Sequence, residues 1–387
     1  MDALAYLAAA FALVALLVHV ASSISASRRC RVSSTARLPA FTHGPSVTVI
    51  RPVCGMDAYE EMTLRSTFEL NYGAYEVLFC CASADDSVVP LVQQLMSEHP
   101  EVQARLLIGD DRLSQNPKLN NIAKGWRAAS HAWIVLADSN VLMPPDYLQR
   151  LLTAWRADTG LVSAPPIGSH PGNLWAELEC AYLNTYQARW QYGADTLGMG
   201  FAQGKSMLWR RADLDAAGGI WALASEPAED AAATKVVRAA GLRVRLPDCA
   251  FLQPLGARSA QQIWARQMRW ARLRRSTFPG YFALEILSGL LAPLLALGLT
   301  AAWFDFDYVP LAAAYTATWI GAEAWLATSA GWVFSWRAPF ACLLREALLP
   351  VLWGLAWFGN SLSWRGNNMT LAPDGTRDAE DLIRVSR

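Results

Sequence analysis

The sequence predicts an α/β fold, a mostly parallel sheet with flanking helices, with membrane helices at both ends of the chain. Three observations support this prediction. Between Ser46 and about Gln253, short β-branched or apolar segments alternate with helical ones. Apolar stretches of bilayer length stand before and after that region. Of the 387 residues, 53% are hydrophobic and 17 are tryptophan, which is high for a purely soluble protein.

Charge and cysteine content exclude several functional classes. The 33 basic and 33 acidic residues cancel, so the whole chain has no long-range attraction for nucleic acid, and we expect none as a partner. The seven cysteines include no CxxC spacing and lie mostly in apolar contexts. This pattern argues against a zinc site and against a disulfide framework.

The first element is an apolar stretch from Leu4 to Ala21, interrupted only by His19. Its length is close to the roughly 20 residues that span a bilayer core. A cleaved signal peptide is the alternative, but no Lys or Arg precedes the stretch. We therefore expect a transmembrane anchor over residues 1–24 and a basic linker over 25–45. By the positive-inside rule, the linker arginines place the following domain in the cytoplasm; they are Arg28, Arg29, Arg31 and Arg37.

Residues 46–257 form the predicted cytosolic domain. Its predicted strands are SVTVIRPV, YEVLFCCA, ARLLIG, AWIVLADS and GLVSAPP, and its predicted helices are MTLRSTFEL, SVVPLVQQLMSEHP, NIAKGWRAASH and PDYLQRLLTAWR. Sheets of this kind bind ligands at the carboxyl ends of their strands. Neither GxGxxG nor GxxxxGK[ST] occurs after the first strand, which excludes a dinucleotide fingerprint and a P-loop.

Acidic residues stand where such a fold builds its site. Asp86 follows the second predicted strand, Asp138 ends the fourth, and Asp230 follows Glu229 at the start of a helix. Taken singly, each is equally typical of a turn or a helix cap. Together they suggest chemistry, because a strand-tip Asp138 could hold Mg²⁺ or Mn²⁺ against a diphosphate. Asp230 could take a proton from an attacking hydroxyl as general base.

The segment NPKLNNIAKGW, residues 116–126, lies between these acids. Its polar side chains could bind a phosphate or a ribose, and they could equally cap the helix that follows. They are Asn116, Lys118, Asn120 and Asn121.

The segment ARQMRWARLRR, residues 265–275, concentrates arginines before an apolar stretch. On a helix at about 100° per residue, four arginines share an arc of about 120° opposite an apolar face. They are Arg258, Arg266, Arg269 and Arg272. This pattern predicts an amphipathic interfacial helix over 258–281 whose cations meet anionic headgroups. A second interpretation directs Arg266, Arg269 and Trp270 to the acidic site and leaves Arg274 and Arg275 for headgroups.

Residues 282–365 are predicted to form C-terminal membrane helices, followed by a polar tail over 366–387. Spans are expected at Ile286–Phe304 and Val309–Phe334, whereas Phe340–Trp364 is short and could be interfacial. Charges in such segments normally face protein or water. Packing is favoured for Glu323, and the Arg345-Glu346 pair is open between ion-paired packing and an acceptor path.

These residues carry a resemblance to a known family. The ordered set Asp86, Asp138, Asp230 and Arg266-x-x-Arg269-Trp270 resembles the D, D, D, (R/Q)xxRW signature of inverting glycosyltransferases with a GT-A fold. More narrowly, ARLLIGDDRLSQNPKLNN, IVLADSN and RQMRWARLR are similar to the ceramide glucosyltransferases of family 21. The likeness spans roughly residues 46 to 281.

The resemblance implies a role for each matching residue. Asp86 would contact the nucleotide, Lys118 and Asn120 would line its pocket, and Asp138 would bind the metal and the diphosphate. Asp230 would be the catalytic base. The metal motif here is Asp138-Ser139-Asn140, so Asn140 offers a neutral oxygen as the second ligand. Closure over the diphosphate and acceptor would fall to Arg266, Arg269 and Trp270.

The implied activity is transfer of glucose from UDP-glucose to the primary hydroxyl of a membrane lipid, ceramide first, with inversion to a β-glycoside. The enzyme would be an integral membrane protein with its catalytic domain in the cytoplasm, dependent on Mg²⁺ or Mn²⁺. Gln187 stands about where animal ceramide enzymes carry histidine, which bears on the acceptor. The alternatives are a processive diacylglycerol or hopanoid glycosyltransferase, a polysaccharide synthase, and an inactive membrane scaffold.

Overall fold

The computed structural model describes residues 2–35, 44–111, 114, 116–364 and 367–370. Its first element is a single helix, α1 (Asp2–Thr35), so the segment from residue 25 to 35 is helical rather than a linker. No proline or glycine interrupts that segment, and Arg29 anchors it by pairing with Asp195 and Asp248. Arg37 lies outside the described residues.

Within the described part of the chain, seven strands form one sheet in the order β3-β2-β1-β4-β7-β5-β8. The first four are mutually parallel, β7 is antiparallel to both of its neighbours, and β5 pairs in parallel with β8. The mostly parallel α/β prediction is therefore confirmed. The strands are β1 (Val47–Pro52), β2 (Tyr75–Cys81), β3 (Gln103–Ile108), β4 (Trp133–Ala137), β5 (Thr159–Ala164), β7 (Ser206–Arg210) and β8 (Arg243–Arg245).

Helices cover both faces of this sheet. One hydrophobic cluster packs α4 and α9 against it through residues such as Trp126 and Val237, and a second packs α5 through Tyr147 and Leu151. The central strands are buried on both faces, as expected for a parallel sheet covered by helices. The helices are α2 (Glu60–Arg65), α3 (Val89–Glu98), α4 (Pro117–Ala128), α5 (Tyr147–Thr153), α8 (Arg211–Ala216), a 3₁₀ helix (Gly219–Ser225) and α9 (Glu229–Ala239).

A second layer connects this domain to the membrane helices. Strands β6 (Pro166–Pro171) and β9 (Phe251–Gly256) pair in parallel beside the main sheet. Helix α6 (Leu174–Cys180) continues through a π-helix (Ala181–Ala188) into α7 (Arg189–Thr196). Such π-helical turns widen a helix locally and occur frequently at functional sites. No feature of the sequence analysis predicted this segment.

The amphipathic helix predicted over 258–281 is α10 (Ala260–Thr277), which starts at a capping box of Ser259 and Gln262. Its apolar side is buried at Ile263, Met268 and Ala271. The chain continues through α11 (Pro279–Glu285), a 3₁₀ turn (Ile286–Ser288), α12 (Leu291–Phe304), α13 (Tyr308–Ser329), α14 (Ala338–Ala356) and the hairpin strands β10 (Ser361–Trp364) and β11 (Asn367–Thr370). Most of the predicted polar tail lies outside the described residues.

Two described helices are long and apolar enough to cross a membrane, over Asp2–Arg31 and Ala338–Ala356. A third crossing is added if Pro279–Ser288 and Leu291–Phe304, bent by 52°, form one span. Helix α13 is not one of these helices, because its Thr, Tyr and Trp residues and Glu323 lower its mean hydropathy. The segment Phe340–Trp364, which the sequence left open between a span and an interfacial helix, lies largely within α14, one of the two helices long and apolar enough to cross a membrane.

The charged residues of α13 and α14 form one buried cluster. Arg345 Nη2 lies 2.7 Å from Glu323 Oε1 and 2.5 Å from Glu346 Oε1, and its Nη1 donates to Thr185 Oγ1 at 2.9 Å. Glu323 and Arg345 are fully buried. The cluster joins α13 and α14 to the π-helix, so ion-paired packing accounts for Glu323 and Arg345.

Candidate active site

The site is built around Asp138, the residue that follows β4. Lys205 Nζ lies 2.7 Å from its Oδ2 and Lys118 Nζ lies 2.6 Å from its Oδ1. Burial disfavours the charged carboxylate, but the two ammonium groups outweigh it and hold the pKa of Asp138 well below its usual range. The carboxyl group is therefore ionised and firmly held.

Arg51, a fully buried residue of β1, shapes the turn that presents Asp138. Its guanidinium donates to the carbonyl oxygens of Asp138 at 2.8 Å, Ser139 at 2.7 Å and Val141 at 3.0 Å. Burial lowers the pKa of Arg51 to about 10, which leaves it charged at neutral pH. One buried cation thus binds three carbonyls of this turn, including that of Asp138, which also accepts from Val141 N.

Lys118 connects Asp138 to a second acidic group. Its Nζ lies 2.5 Å from Glu229 Oε1 at the start of α9 and also donates to the carbonyl of Gly204. Burial opposes the charge on this lysine, but Asp138 and Glu229 outweigh it and raise the pKa of Lys118. Asn116 holds both Lys118 and Glu229 in place. Its Oδ1 caps α4 by accepting from Lys118 N at 3.0 Å, and its Nδ2 donates to Glu229 at 2.8 Å.

Asp230 lies beside Glu229 in the first turn of α9. Its Oδ2 accepts from Gly204 N at 2.9 Å and its Oδ1 accepts from Ala231 N at 2.8 Å. Burial and the neighbouring Glu229 carboxylate raise the pKa of Asp230 to about 6, against the opposing effect of Lys118. A carboxyl with such a pKa is mostly ionised at pH 7 yet basic enough to accept a proton, as general-base catalysis requires.

Gly204 lies at the centre of this cluster. A β-carbon at this position would lie 2.6 Å from Glu229 Oε1, 2.9 Å from Lys118 Nζ and 3.5 Å from Asp230 Oδ2. The charged groups therefore approach so closely only because this residue has no side chain.

Two predicted nucleotide-pocket residues have structural partners of their own. Asp86 lies beyond the end of β2, two strands from β4, and its Oδ1 accepts from Gly55 N at 2.8 Å and Val88 N at 3.0 Å. Asn120 binds both the backbone and the hydroxyl of Ser114, which holds the loop before α4. Each therefore shapes a loop at the carboxyl edge of the sheet.

The arginine motif on α10 lies against the same site. Arg266 pairs with Glu179, which is fully buried on α6, and its guanidinium lies 5.9 Å from the centre of the Trp270 ring. The positive charge of Arg266 also contributes to lowering the pKa of Lys205, after the larger effect of burial, which places it near the Asp138 group. Arg269 is half-buried on the same helix.

The two arginines expected to serve lipid headgroups are instead bound by protein. Arg274 forms a two-pronged ion pair with Glu285 at 2.7 and 2.9 Å. Arg275 donates to the carbonyl of Trp357 at 2.9 Å and to Asn360 Oδ1 at 2.6 Å. The reason is that α11 and the end of α14 pack against the last turns of α10, a tertiary contact that the helix pattern does not contain.

Sequence reasoning missed three charged residues of the site, Arg51, Glu179 and Lys205, and also Gly204. A charged residue inside an apolar strand was the available signal for Arg51, and a Gly-Lys pair before a strand was the signal for Lys205. Glu179 carried no signal, because only the fold brings α6 beside Arg266.

Few protein side chains in the site can bind a metal ion. The described residues include no group of three or more His, Cys, Asp or Glu side chains arranged to hold a metal. Asp138 and Asn140 supply oxygens, and both accept from Lys205 Nζ, at 2.7 and 3.1 Å. Hard oxygens suit Mg²⁺ or Mn²⁺, and such ions commonly take one or two protein ligands and complete their shell with phosphates and water.

Comparisons with known proteins identify the family and the fold. The model of glycosyl transferase family 21 matches residues 5–377. Ceramide glucosyltransferase 1 of Caenorhabditis elegans is 26% identical over 343 residues, 86% of this chain and 72% of the relative. The ceramide glucosyltransferase of Komagataella phaffii is 28% identical over 303 residues, 63% of this chain and 60% of the relative. A mannosyltransferase of Pyrobaculum calidifontis, solved with GDP-Man and Mn²⁺, has a TM-score of 0.50 at 20% identity and covers 90% of this chain and 98% of its own, which shows a shared fold.

Gly204→Ala should destabilise the protein by about 1–3 kcal/mol, the usual cost of overpacking, because its methyl group would displace Lys118 or Glu229. The measurement is the thermal unfolding midpoint of the detergent-purified protein. Gly73→Ala is the matched control, since a β-carbon there meets no atom within 4 Å. Equal midpoints for the two variants would contradict the tight packing of the cluster.

Proposed function

Because the chain belongs to glycosyltransferase family 21, we propose that it transfers glucose from UDP-glucose to the primary hydroxyl of a membrane lipid, with ceramide as the preferred acceptor. The transfer inverts the anomeric configuration and gives a β-glycoside. The observation that carries the proposal is the Lys118 bridge from Asp138 to Glu229, which places two differently tuned aspartates at one edge of the sheet. The pKa of Asp138 is lowered and that of Asp230 is raised. Carboxyls with opposite shifts suit separate roles as charge holder and general base.

The donor diphosphate would lie beside Asp138, within reach of the ammonium groups of Lys118 and Lys205. Both lysines are largely buried, so their charges act with little screening by water. The uridine end would extend toward Asp86 and the loop that Asn120 holds, because both lie at the same carboxyl edge of the sheet. This arrangement follows the general rule for ligands of parallel sheets.

Asp138 and Asn140 would hold the divalent cation, Mg²⁺ or Mn²⁺, together with the diphosphate. When bound, the cation supplies charge neutralisation for the departing diphosphate. Lys205, which contacts both residues here, would turn toward a phosphate oxygen when the donor is present. Its four-carbon side chain allows such a movement.

Asp230 would accept the proton of the lipid hydroxyl as that oxygen attacks the anomeric carbon. The backbone amides of Gly204 and Ala231 fix the orientation of its carboxylate before the acceptor arrives. The attack comes from the side opposite the diphosphate, so the product has inverted configuration. Arg266, which Glu179 holds, would stabilise the charge that develops on the leaving group together with Arg269, and Trp270 would shield that side of the site from water.

The membrane placement follows from the same proposal. Helices α1 and α14 would anchor the protein, and the sheet domain would lie on the cytoplasmic side, where arginines follow the first span. A lipid acceptor then reaches the site from the bilayer beside α10.

The direct test is thin-layer analysis of lipids from membranes that contain the protein, incubated with labelled UDP-glucose or UDP-galactose. We expect a monoglucosyl ceramide that is absent with Asp230→Asn. This variant should lose at least about 100-fold in transfer, the usual contribution of a general base, while UDP affinity stays within about twofold. Unchanged turnover in Asp230→Asn would show that Asp230 is not the base. A labelled diacylglycerol or hopanoid would show that ceramide is not the acceptor, and a two-sugar product would contradict transfer of a single glucose.

Metal removal tests the role of Asp138 separately. Treatment with EDTA should reduce transfer at least about tenfold, and Mg²⁺ or Mn²⁺ should restore it, since the ion neutralises the leaving diphosphate. Asp138→Asn should raise the metal concentration needed for half-maximal activity. Full activity of the wild-type protein in metal-free buffer would contradict this assignment.

A further inference from the structure

A cavity of about 160 Å³ opens among α11, α12 and α14. Its outer wall is apolar, and Leu295, which is 66% exposed, lies at its rim. We call it the chain cavity, and its lining includes Gly289, Ala292, Leu295, Leu349 and Pro350. Pockets that enclose an entire drug-sized ligand are roughly 300–1,000 Å³, so this one fits a segment of a longer apolar molecule.

The cavity exists because a helix breaks at its edge. The chain bends by 52° between the turn ending at Ser288 and the start of α12. Glu346 on α14 stabilises the break, since its Oε2 accepts from Leu290 N at 2.7 Å. This bond accounts for the role of Glu346 beyond its pairing with Arg345, and it keeps α12 separated from α14 at the cavity.

The inner end of the chain cavity adjoins a polar pocket of about 10 Å³ next to α10, and we call the two spaces together the passage. Tyr186, Glu285, Leu349 and Trp353 line both spaces. Four side chains of the polar pocket already have partners. Glu285 and Arg274 form an ion pair with each other, the Tyr186 hydroxyl is hydrogen-bonded to Ser288, and Trp353 donates to the carbonyl of Phe282. These bonds fix the walls of the passage.

Two other polar groups of the same pocket lack such partners. Tyr182 is 2% exposed and Gln267 is 4% exposed, and neither the Tyr182 hydroxyl nor Gln267 Nε2 has a hydrogen-bond partner among the described residues. Buried donors of this kind are costly unless a ligand or water satisfies them. Both can donate a hydrogen bond, so the group they suit is an acceptor such as a carbonyl oxygen.

Gln267 also places this pocket next to the catalytic motif. It follows Arg266 directly on α10, and successive helical side chains point about 100° apart. Arg266 pairs with Glu179, whereas Gln267 lines the polar pocket. Adjacent residues of α10 therefore serve the sugar-nucleotide site and the inner end of the passage.

We infer that the polar pocket and the chain cavity together bind the acceptor lipid, with its amide or ester carbonyl at Tyr182 and Gln267 and part of one hydrocarbon chain in the chain cavity. The inference rests on the proposed lipid glycosylation and adds the residues that select the acceptor. An N-acyl or O-acyl lipid with a primary hydroxyl near its carbonyl matches the order of polar and apolar groups along the passage. The remaining chain length extends past Leu295 into the bilayer.

The test uses an acceptor whose hydrocarbon chain carries a diazirine, and mass spectrometry locates the crosslinks in the full-length protein. We expect crosslinks to the segments 285–295 and 349–353 in the wild-type protein. Ala292→Phe fills the cavity and should reduce them at least fivefold, whereas Ala302→Phe, an exposed position on the same helix, should not. If Ala292→Phe does not fold, as judged by loss of UDP binding, Leu295→Trp at the exposed rim replaces it.

Kinetics with a short-chain and a long-chain acceptor give a second readout. Filling the cavity should raise the KM for the long-chain acceptor about tenfold and leave the KM for UDP-glucose unchanged, a loss of ~1.4 kcal/mol in binding. Gln267→Leu should raise the KM for both acceptors, because both carry the carbonyl. Crosslinks confined to other segments, or equal KM values in all variants, would overturn the inference. Crosslinks in the cavity without sugar transfer by the wild-type protein would instead overturn the proposed function.

Discussion

The ammonium group of Lys118 is the constraint on which the site depends. It touches groups from the turn after β4, from α9 and from the Gly204 loop, and its burial requires that the carboxylates of Asp138 and Glu229 stay close to it. Because Glu229 is held in this way, the next residue, Asp230, is directed at Gly204 N and sits in a negative, desolvated position. The pKa difference between the two aspartates thus arises from their other neighbours: burial and Glu229 raise the pKa of Asp230, whereas Lys205 adds to Lys118 in lowering the pKa of Asp138.

The same logic of a buried charge with fixed partners repeats toward the membrane. Arg51 holds the turn that carries Asp138, Glu179 holds Arg266, and Arg345 joins the membrane helices to the π-helix. Removing one partner from any of these groups leaves an uncompensated charge, which is costly in a buried setting. The sheet domain and the membrane helices are therefore coupled through ionic contacts, and α10 lies between them with one face toward each.

Periodicity was sufficient for the first five strands, because each contains a short run of apolar or β-branched residues. It was insufficient for β7, whose five residues insert antiparallel between β4 and β5, a pairing that depends on the whole sheet. The resemblance to the family motif pointed to Asp138, Asp230 and Arg266, but Lys205, which contacts Asp138, and Glu179, which holds Arg266, come from distant segments. For Arg274 and Arg275 the helical pattern predicted contact with lipid headgroups, whereas packing by α11 and the end of α14 determined their partners.

The central claim is that Lys118 and Glu229 set the basicity of Asp230 from opposite sides. The most direct measurement is the pH dependence of kcat/KM for sugar transfer, which reports the free enzyme. Since the ionised carboxylate is the active form, transfer should be retained above pH 6 and fall as the pH decreases through about 6. Lys118→Met removes a positive charge and should move this fall to higher pH, whereas Glu229→Gln removes a negative charge and should move it to lower pH. A profile that falls at the same pH in the wild type and both variants would contradict the account.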